Sequence, residues 1–175
     1  MTQYLIRFGL AETSIGLVLV AASARGVCAV FLGDTPERLT QELYERFVGA
    51  SFFPAAADDA KFVEMLDGVI KLIEDPSMSF NHPIDINGTD FQLRVWQALR
   101  EIPLGKTVSY LQVARRIGAP RSSRPVANAC GDNPLAVIIP CHRVTRNDGS
   151  LSGYRWGVER KRTLLIREGV WQLER

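Results

Sequence analysis

Between Ala136 and Val144 the chain reads AVIIPCHRV. An apolar run stops at Pro140, and a thiol (Cys141), an imidazole (His142) and a guanidinium (Arg143) follow without a gap. The thiolate is the reactive form of cysteine, and a free cysteine titrates at about pH 8.5. A neighbouring imidazole can take its proton, and Arg143 can stabilise the anion. The apolar run reads as a buried strand with Cys141 at its tip. Neighbouring side chains on a strand point to opposite faces. A direct contact between Cys141 and His142 therefore requires a turn, which Pro140 makes available; a bridging water is the alternative.

Glu168 completes a candidate relay. It follows Leu164 and Leu165 at helical spacing and so shares their core-facing side. It also ends a helix, where the macrodipole opposes a carboxylate. Such a group needs a cationic or donating partner. His142 is one of 2 histidines in the chain, and the other, His82, falls in a linker-like stretch. A Glu168–His142–Cys141 relay would orient the imidazole and raise its basicity. Arg162 and Arg167 are the competing surface partners.

The elements that must hold these residues can be read from periodicity and punctuation. YLIRFGLA, SIGLVLVAAS and GVCAVFLG are short runs rich in Val, Ile, Leu and Phe, which predicts an antiparallel meander. TPERLTQELYERF predicts a helix with Thr35 as N-cap, Pro36 at its first position and an apolar face of Leu39, Leu43 and Phe47. A second helix carries Phe62, Met65, Leu66, Val69, Ile70 and Ile73, and Pro76 stops it. SMSFNHPIDINGTDF is rich in Pro, Gly and Asn and reads as the linker. Two domains follow, 1–87 and 88–175. The second is mostly helical: a helix capped by Thr89 or Asp90, then a helix-turn-helix from Ser109 to Gly131 turning at Gly118-Ala119-Pro120. Leu111, Ala114 and Ile117 pack its first helix, and Ser122 or Ser123 caps its second. In such a motif the second helix usually meets DNA. A last helix closes at Gly169. The fold class is α/β of the α+β kind: a small antiparallel sheet with helices, then a helical domain bearing the cysteine.

Composition limits the function classes. At 175 residues, 46% hydrophobic and 23% charged, the chain resembles an ordinary globular protein that needs no staples. A net charge of +2 does not announce a nucleic-acid binder, so any basic face must come from distribution. The 3 cysteines show no paired spacing, which argues for a reducing compartment. The start lacks the pattern of a signal peptide, and no apolar run suits a bilayer. A cytoplasmic protein is expected, associated with the nucleoid when it acts.

IIPCHRV, with GDNP before it, SGYRWG after it and LLIREG at the end, closely resembles the O6-alkylguanine-DNA alkyltransferase family. The likeness covers nearly the whole chain. It is strongest from Phe91 to Gly169, where it looks most like the C-terminal module of the bacterial adaptive-response protein. The resemblance implies direct reversal of damage in double-stranded DNA. An alkylated guanine is flipped out from a minor-groove complex, and its O6-alkyl group, mainly methyl, passes irreversibly to Cys141; thymine O4 is a possible second donor atom. It also implies roles. Cys141 is the acceptor, His142 the base through a water, Glu168 its orienter. Asn133 ties the recognition helix to the active-site strand, and Tyr110 donates to the departing base. Arg124 fills the gap left by the flipped base, and Ala127 lets the helix approach the groove. Lys106, Arg121 and Arg115 would contact phosphates. Pro140, Val144, Arg155 and Trp156 would line the substrate pocket, with carbonyls of Cys141 and Val144 accepting from the base. No cofactor and no metal are expected, because Cys28 and His82 supply two ligands where four are usual. A monomer on DNA is expected.

Two departures from the family pattern carry consequences. Arg155 stands where some relatives have serine, and Trp156 where others have a small residue. An indole at the pocket rim predicts a preference for methyl over benzyl-sized groups. The cysteine cluster of the adaptive-response protein's zinc domain is absent, so phosphotriester repair and its transcriptional switch are not expected. Cys28 and Cys130 read as packing residues. A non-catalytic binder of alkylated DNA and a cysteine hydrolase or acyltransferase are the alternatives, and the latter would turn over many times.

Overall fold

A computed structural model describes residues 4–170. The chain divides into two compact units, Met1–Ile86 and Asn87–Arg175. In the first unit, β1 (Leu5–Thr13), β2 (Gly16–Ala22) and β3 (Val27–Gly33) form the antiparallel meander. Only Ser14 and Ile15 separate β1 from β2, and Gly16 supplies a φ of 110° at the turn. β2 and β3 are buried along nearly their whole length, so they read as continuous apolar runs rather than alternating ones.

The sheet is not purely antiparallel. β4 (Ser51–Pro54) adds to the free edge of β1 in parallel, giving the order β3-β2-β1-β4. A four-residue strand ending in proline carries too weak a pattern to read alone, and Pro54 suits an edge. α1 (Pro36–Arg46) starts as its sequence dictates, with Thr35 Oγ1 accepting from the Arg38 amide. α2 (Ala60–Glu74) buries Phe62, Met65, Val69 and Ile73. Part of the linker-like stretch is docked: the Val27 amide donates to the Pro83 carbonyl at 2.9 Å, the Asp85 amide donates to the Val27 carbonyl at 2.8 Å, and the Asp85 carboxylate accepts from the Tyr4 and Ser23 hydroxyls, both at 2.6 Å. Cys28 is 1% exposed, and burial pushes its thiol up to about 12.

In the second unit, α3 (Asp90–Arg100) opens with a capping box in which Thr89 and Gln92 satisfy each other's backbone amides. β5 (Val108–Ser109) leads into α4 (Tyr110–Arg116), whose N-cap Ser109 forms a second capping box with Gln112. α5 (Ser123–Gly131) follows after six residues, and α3, α4 and α5 pack on one another. Val113 and Ala114 are the buried residues of α4; Leu111 and Ile117 are half-buried. Ser122 holds the N-cap position of α5 but its side chain caps nothing. Trp96, 1% exposed, ties α3 to α5 by donating to the Ala129 carbonyl at 2.9 Å. β6 (Val144–Thr145) pairs in parallel with β5. α6 (Val158–Arg167) ends at Gly169 (φ 77°), where the amides of Gly169 and Val170 return to Ile166 and Leu165. That is a Schellman motif.

Among the described residues no helix is long and apolar enough to cross a membrane, and no group of three or more His, Cys, Asp or Glu side chains could hold a metal ion.

Candidate active site

The segment that delivers Cys141 is not a strand. From Asn133 to Pro140 the backbone makes successive tight turns and then a single 3-10 turn, Cys141–Arg143. The Ile138 amide returns to the Ala136 carbonyl at 2.7 Å around Val137, which sits at φ 62°. A β-branched residue in that region is costly and persists only where its surroundings over-determine it. Pro140 (φ −80°, ψ 62°) then centres an inverse γ-turn, with the Cys141 amide bonded to the Ile139 carbonyl at 2.8 Å. The proline ring fixes the φ that this turn needs. Apolar composition suggests a strand here because these residues are buried. Their backbone is set instead by one side chain.

That side chain is Asn133, which is 0% exposed. Its Nδ2 donates to the Ile139 carbonyl at 2.9 Å and to Cys141 Sγ at 3.2 Å, and its Oδ1 accepts from the Leu135 amide at 2.9 Å. Both ends of the turn and the thiol thus hang on one amide. Asn133→Ala strands the Leu135 amide and removes the donor to sulfur. We expect it to cost about 2 kcal/mol, the scale of one buried unsatisfied donor, and to slow the chemistry of Cys141. Thermal melts together with thiol alkylation rates at fixed pH check both effects.

Cys141 is 4% exposed. Burial pushes its thiol up; the Asn133 amide, Lys161 and Arg155 pull it back in part. Arg143 is not among these. Its guanidinium faces away, clamping Glu168 with Nε to Oε2 at 2.9 Å and Nη2 to Oε1 at 2.9 Å, and donating to the Ile102 carbonyl at 2.7 Å. The expectation that Arg143 stabilises the thiolate is therefore corrected, because a bidentate carboxylate claims it. Glu168 in turn is bonded to His142 Nε2 at 2.8 Å, and its side chain is 2% exposed. Arg162 pairs with Glu159 at 3.5 Å instead.

The His142–Glu168 contact fixes a tautomer. Burial raises the Glu168 carboxyl, but the His142 and Arg143 hydrogen bonds outweigh it and hold the group below its ordinary value. An ionised carboxylate only accepts, so Nε2 carries the proton and Nδ1 holds the free lone pair. Nδ1 is buried with no hydrogen-bond partner among the described residues. Burial keeps the ring below its ordinary pKa, so it is neutral and available as a base.

Cys141 opens on a cavity of about 320 Å³ lined by Tyr110, Ala127, Cys130, Gly131, Ser152, Gly153, Tyr154 and Arg155. That is the low end for small-molecule sites. Tyr110, the first residue of α4, hydrogen-bonds Ser152. Ala127 comes from α5, beside exposed Arg124; Lys106, Arg115 and Arg121 are also exposed.

Three expected pocket residues lie elsewhere. Pro140 is buried in its turn. The Val144 carbonyl accepts from Lys161 Nζ at 2.6 Å. Trp156, 4% exposed, packs edge-on against Tyr154 with Arg155 5.4 Å above its ring. The indole supports the wall from behind, and Tyr154 and Arg155 form its face, so Trp156 does not narrow the rim. Sequence reasoning missed Lys161, Ser152 and Tyr154, and it assigned Cys130 to packing although that residue also lines the cavity. Lys161 carried a readable signal. In VERKRTLLIRE it precedes Leu164 and Leu165 at helical spacing and so falls on their buried face.

A family profile described as 6-O-methylguanine DNA methyltransferase, DNA binding domain, matches residues 90–170. The chain is 51% identical over 163 residues to the bifunctional transcriptional activator/DNA repair enzyme Ada of Escherichia coli, covering 93% of this chain and 45% of that protein. It therefore spans less than half the length of that relative. It is 39% identical over 150 residues to the inducible methylated-DNA–protein-cysteine methyltransferase of Bacillus subtilis, covering 83% and 80% of the two chains. Among solved structures it resembles Mycobacterium tuberculosis OGT in complex with DNA, with a TM-score of 0.74 and 33% identity over 94% of this chain and 92% of that one.

Proposed function

The chain belongs to the methylated-DNA–protein-cysteine methyltransferase family, and from that premise we propose that it repairs double-stranded DNA by moving a methyl group from guanine O6 to Cys141, once per molecule. The observation that carries this reading is a buried thiol facing a base-sized cavity, with a neutral, oriented imidazole next in the chain.

The flipped guanine would enter the cavity, and Cys141 Sγ would attack the saturated carbon. The S–C bond forms as the C–O6 bond breaks. The thiol proton leaves toward His142 Nδ1 through a water, and the departing base takes a proton from Tyr110. A buried thiol with a raised pKa needs such a base, and a soft thiolate suits displacement at saturated carbon. The thioether is not readily hydrolysed, so one equivalent is consumed.

Flipping costs a few kcal/mol, less for a damaged pair. Arg124, exposed on α5, would fill the vacated stack. A minor-groove approach suits the small Ala127 beside it, and a single chain holds the whole site, as a monomer on DNA requires. Lys106, Arg115 and Arg121 would offset part of the cost by neutralising phosphates. Each such contact contributes about −0.9 to the slope of log K against log salt. Arg121→Ala is expected to weaken binding on all sequences alike and to flatten that slope by about one unit, measured by fluorescence anisotropy across a salt series.

The reading is tested by intact mass spectrometry after incubation with excess O6-methylguanine duplex. A gain of one methyl, mapped to Cys141, supports it. An unchanged mass in protein that binds the duplex would identify a non-catalytic damage binder. Repeated turnover would point to a cysteine hydrolase.

A further inference from the structure

Behind the cavity wall lies a chain of hydrogen bonds that the mechanism above does not use. Lys161 is 1% exposed, an unusual place for an ammonium group. Its Nζ donates to the Val144 carbonyl at 2.6 Å and to Ser152 Oγ at 2.9 Å. Ser152 Oγ is in turn bonded to the Tyr110 hydroxyl. Because Lys161 fills an acceptor site on Ser152, the serine O–H is free to donate to Tyr110, whose own proton is then free to point into the cavity. Tyr110 and Ser152 both line that cavity with Cys141.

We propose that Lys161 and Ser152 are positioning residues that recharge Tyr110 as the acid of the transfer reaction, through the relay Lys161 Nζ–Ser152 Oγ–Tyr110 Oη. The inference rests on the reading given under Proposed function. As the S–C bond forms and the C–O6 bond breaks, the bonding pair moves onto the base. A ring nitrogen of the base takes the Tyr110 proton, Tyr110 takes that of Ser152, and Ser152 takes one from Lys161. The ammonium becomes a neutral amine and is later reprotonated by water.

Charge bookkeeping favours this direction. Before transfer the buried site holds a thiolate and an ammonium; afterwards it holds a thioether and an amine, and the base is neutral at both stages. Burial pushes Lys161 below the ordinary lysine value, and negative charge on Cys141 opposes that fall. Alkylation of Cys141 removes that charge, so the ammonium becomes a better acid at the moment the base needs a proton.

The test is a double-mutant cycle on single-turnover methyl transfer from O6-methylguanine duplex, read by quenched-flow and mass spectrometry with saturating protein. Ser152→Ala should slow transfer about tenfold, below the full contribution of a positioned acid. Ser152→Thr, which keeps the hydroxyl, should restore most of the rate. In the Tyr110→Phe background, Ser152→Ala should change the rate by less than about twofold, since there is no phenol left to recharge. A Ser152→Ala protein that melts like the parent and transfers at the parental rate overturns the relay. So does a slowing that is equally large with and without the Tyr110 hydroxyl, which would mark a packing role. Failure of the parent protein itself to transfer methyl would instead overturn the function on which the relay rests.

Discussion

Cys141→Ser is expected to yield no methylated protein at any time point, while DNA binding and folding persist. A serine hydroxyl is far less acidic than a thiol and presents a hard oxygen to a saturated carbon. The rest of the site gives it no compensation, because His142 and Asn133 are arranged for a group that ionises. The fold should tolerate the change. Oxygen replaces sulfur in a buried position that already has a donor, Asn133 Nδ2, so the cost is about 1 kcal/mol, the net scale of one hydrogen bond. The exposed Arg124, Arg121 and Lys106 are untouched, so affinity for duplex should be unchanged. The variant also asks whether Cys130, in the same cavity, can stand in. Burial pushes that thiol strongly up, and Lys161 alone pulls it back; among the described residues no hydrogen bond reaches its sulfur as Asn133 reaches Cys141. Intact mass and peptide mapping of the variant decide it, and a methyl group on Cys130 would show that the cavity rather than the Asn133 donor selects the acceptor.

The contrast between the two cysteines shows which features were legible. Local signals read well: Thr35 and Thr89 as caps, the meander, the close at Gly169, and the pairing of His142 with Glu168 follow from spacing and from what a helix-terminal carboxylate must find. The turn before Cys141 did not. Ala136, Val137 and Ile139 are buried and Ile138 half-buried, which composition cannot tell from a strand, and the backbone there obeys Asn133 rather than its own propensity. β4 was missed because its partner is chosen by tertiary contact with β1. Trp156 was placed on the pocket rim by matching along the chain alone. Its neighbour Tyr154 turns inward and leaves the indole behind the wall. Lys161 was overlooked because a lysine amid arginines on an amphipathic helix usually lies in solvent, and only the carbonyl of Val144 and the hydroxyl of Ser152 make its burial tolerable.

Glu168→Ala should damage both stability and chemistry. The carboxylate is the shared partner of His142 and Arg143, and removing it leaves a guanidinium, 14% exposed, without its anion. Breaking a buried pair from one side costs about 3 kcal/mol, so denaturant melts of the full chain should shift by that order. The imidazole also loses what holds its proton on Nε2. A ring free to adopt either tautomer is a poor base toward Cys141, and transfer should slow about 10²- to 10³-fold, within the range of a positioned general base. Glu168→Gln keeps the acceptor oxygen and should recover part of the stability but less of the rate, since a neutral amide does not raise the basicity of Nδ1. The two groups also set an acid limit for the parent protein. His142 lies below its ordinary 6.5 in the folded state, so its contribution to stability is whole above that value and is lost as pH falls toward the folded one. Glu168 lies below its ordinary 4.5, so its contribution is whole above 4.5 and is lost as pH falls through the depressed value. Both therefore weaken the fold on acidification, His142 first. In Glu168→Ala the second of these losses disappears, while the imidazole, without the carboxylate that holds it up, falls further below 6.5, so its own loss extends to lower pH. The variant should melt below the parent at neutral pH, and the gap should close as pH falls through the depressed Glu168 value, where the parent loses the ion pair as well; a gap that stays constant down to strong acid would mean that the Glu168 carboxyl is not ion-paired in the native protein.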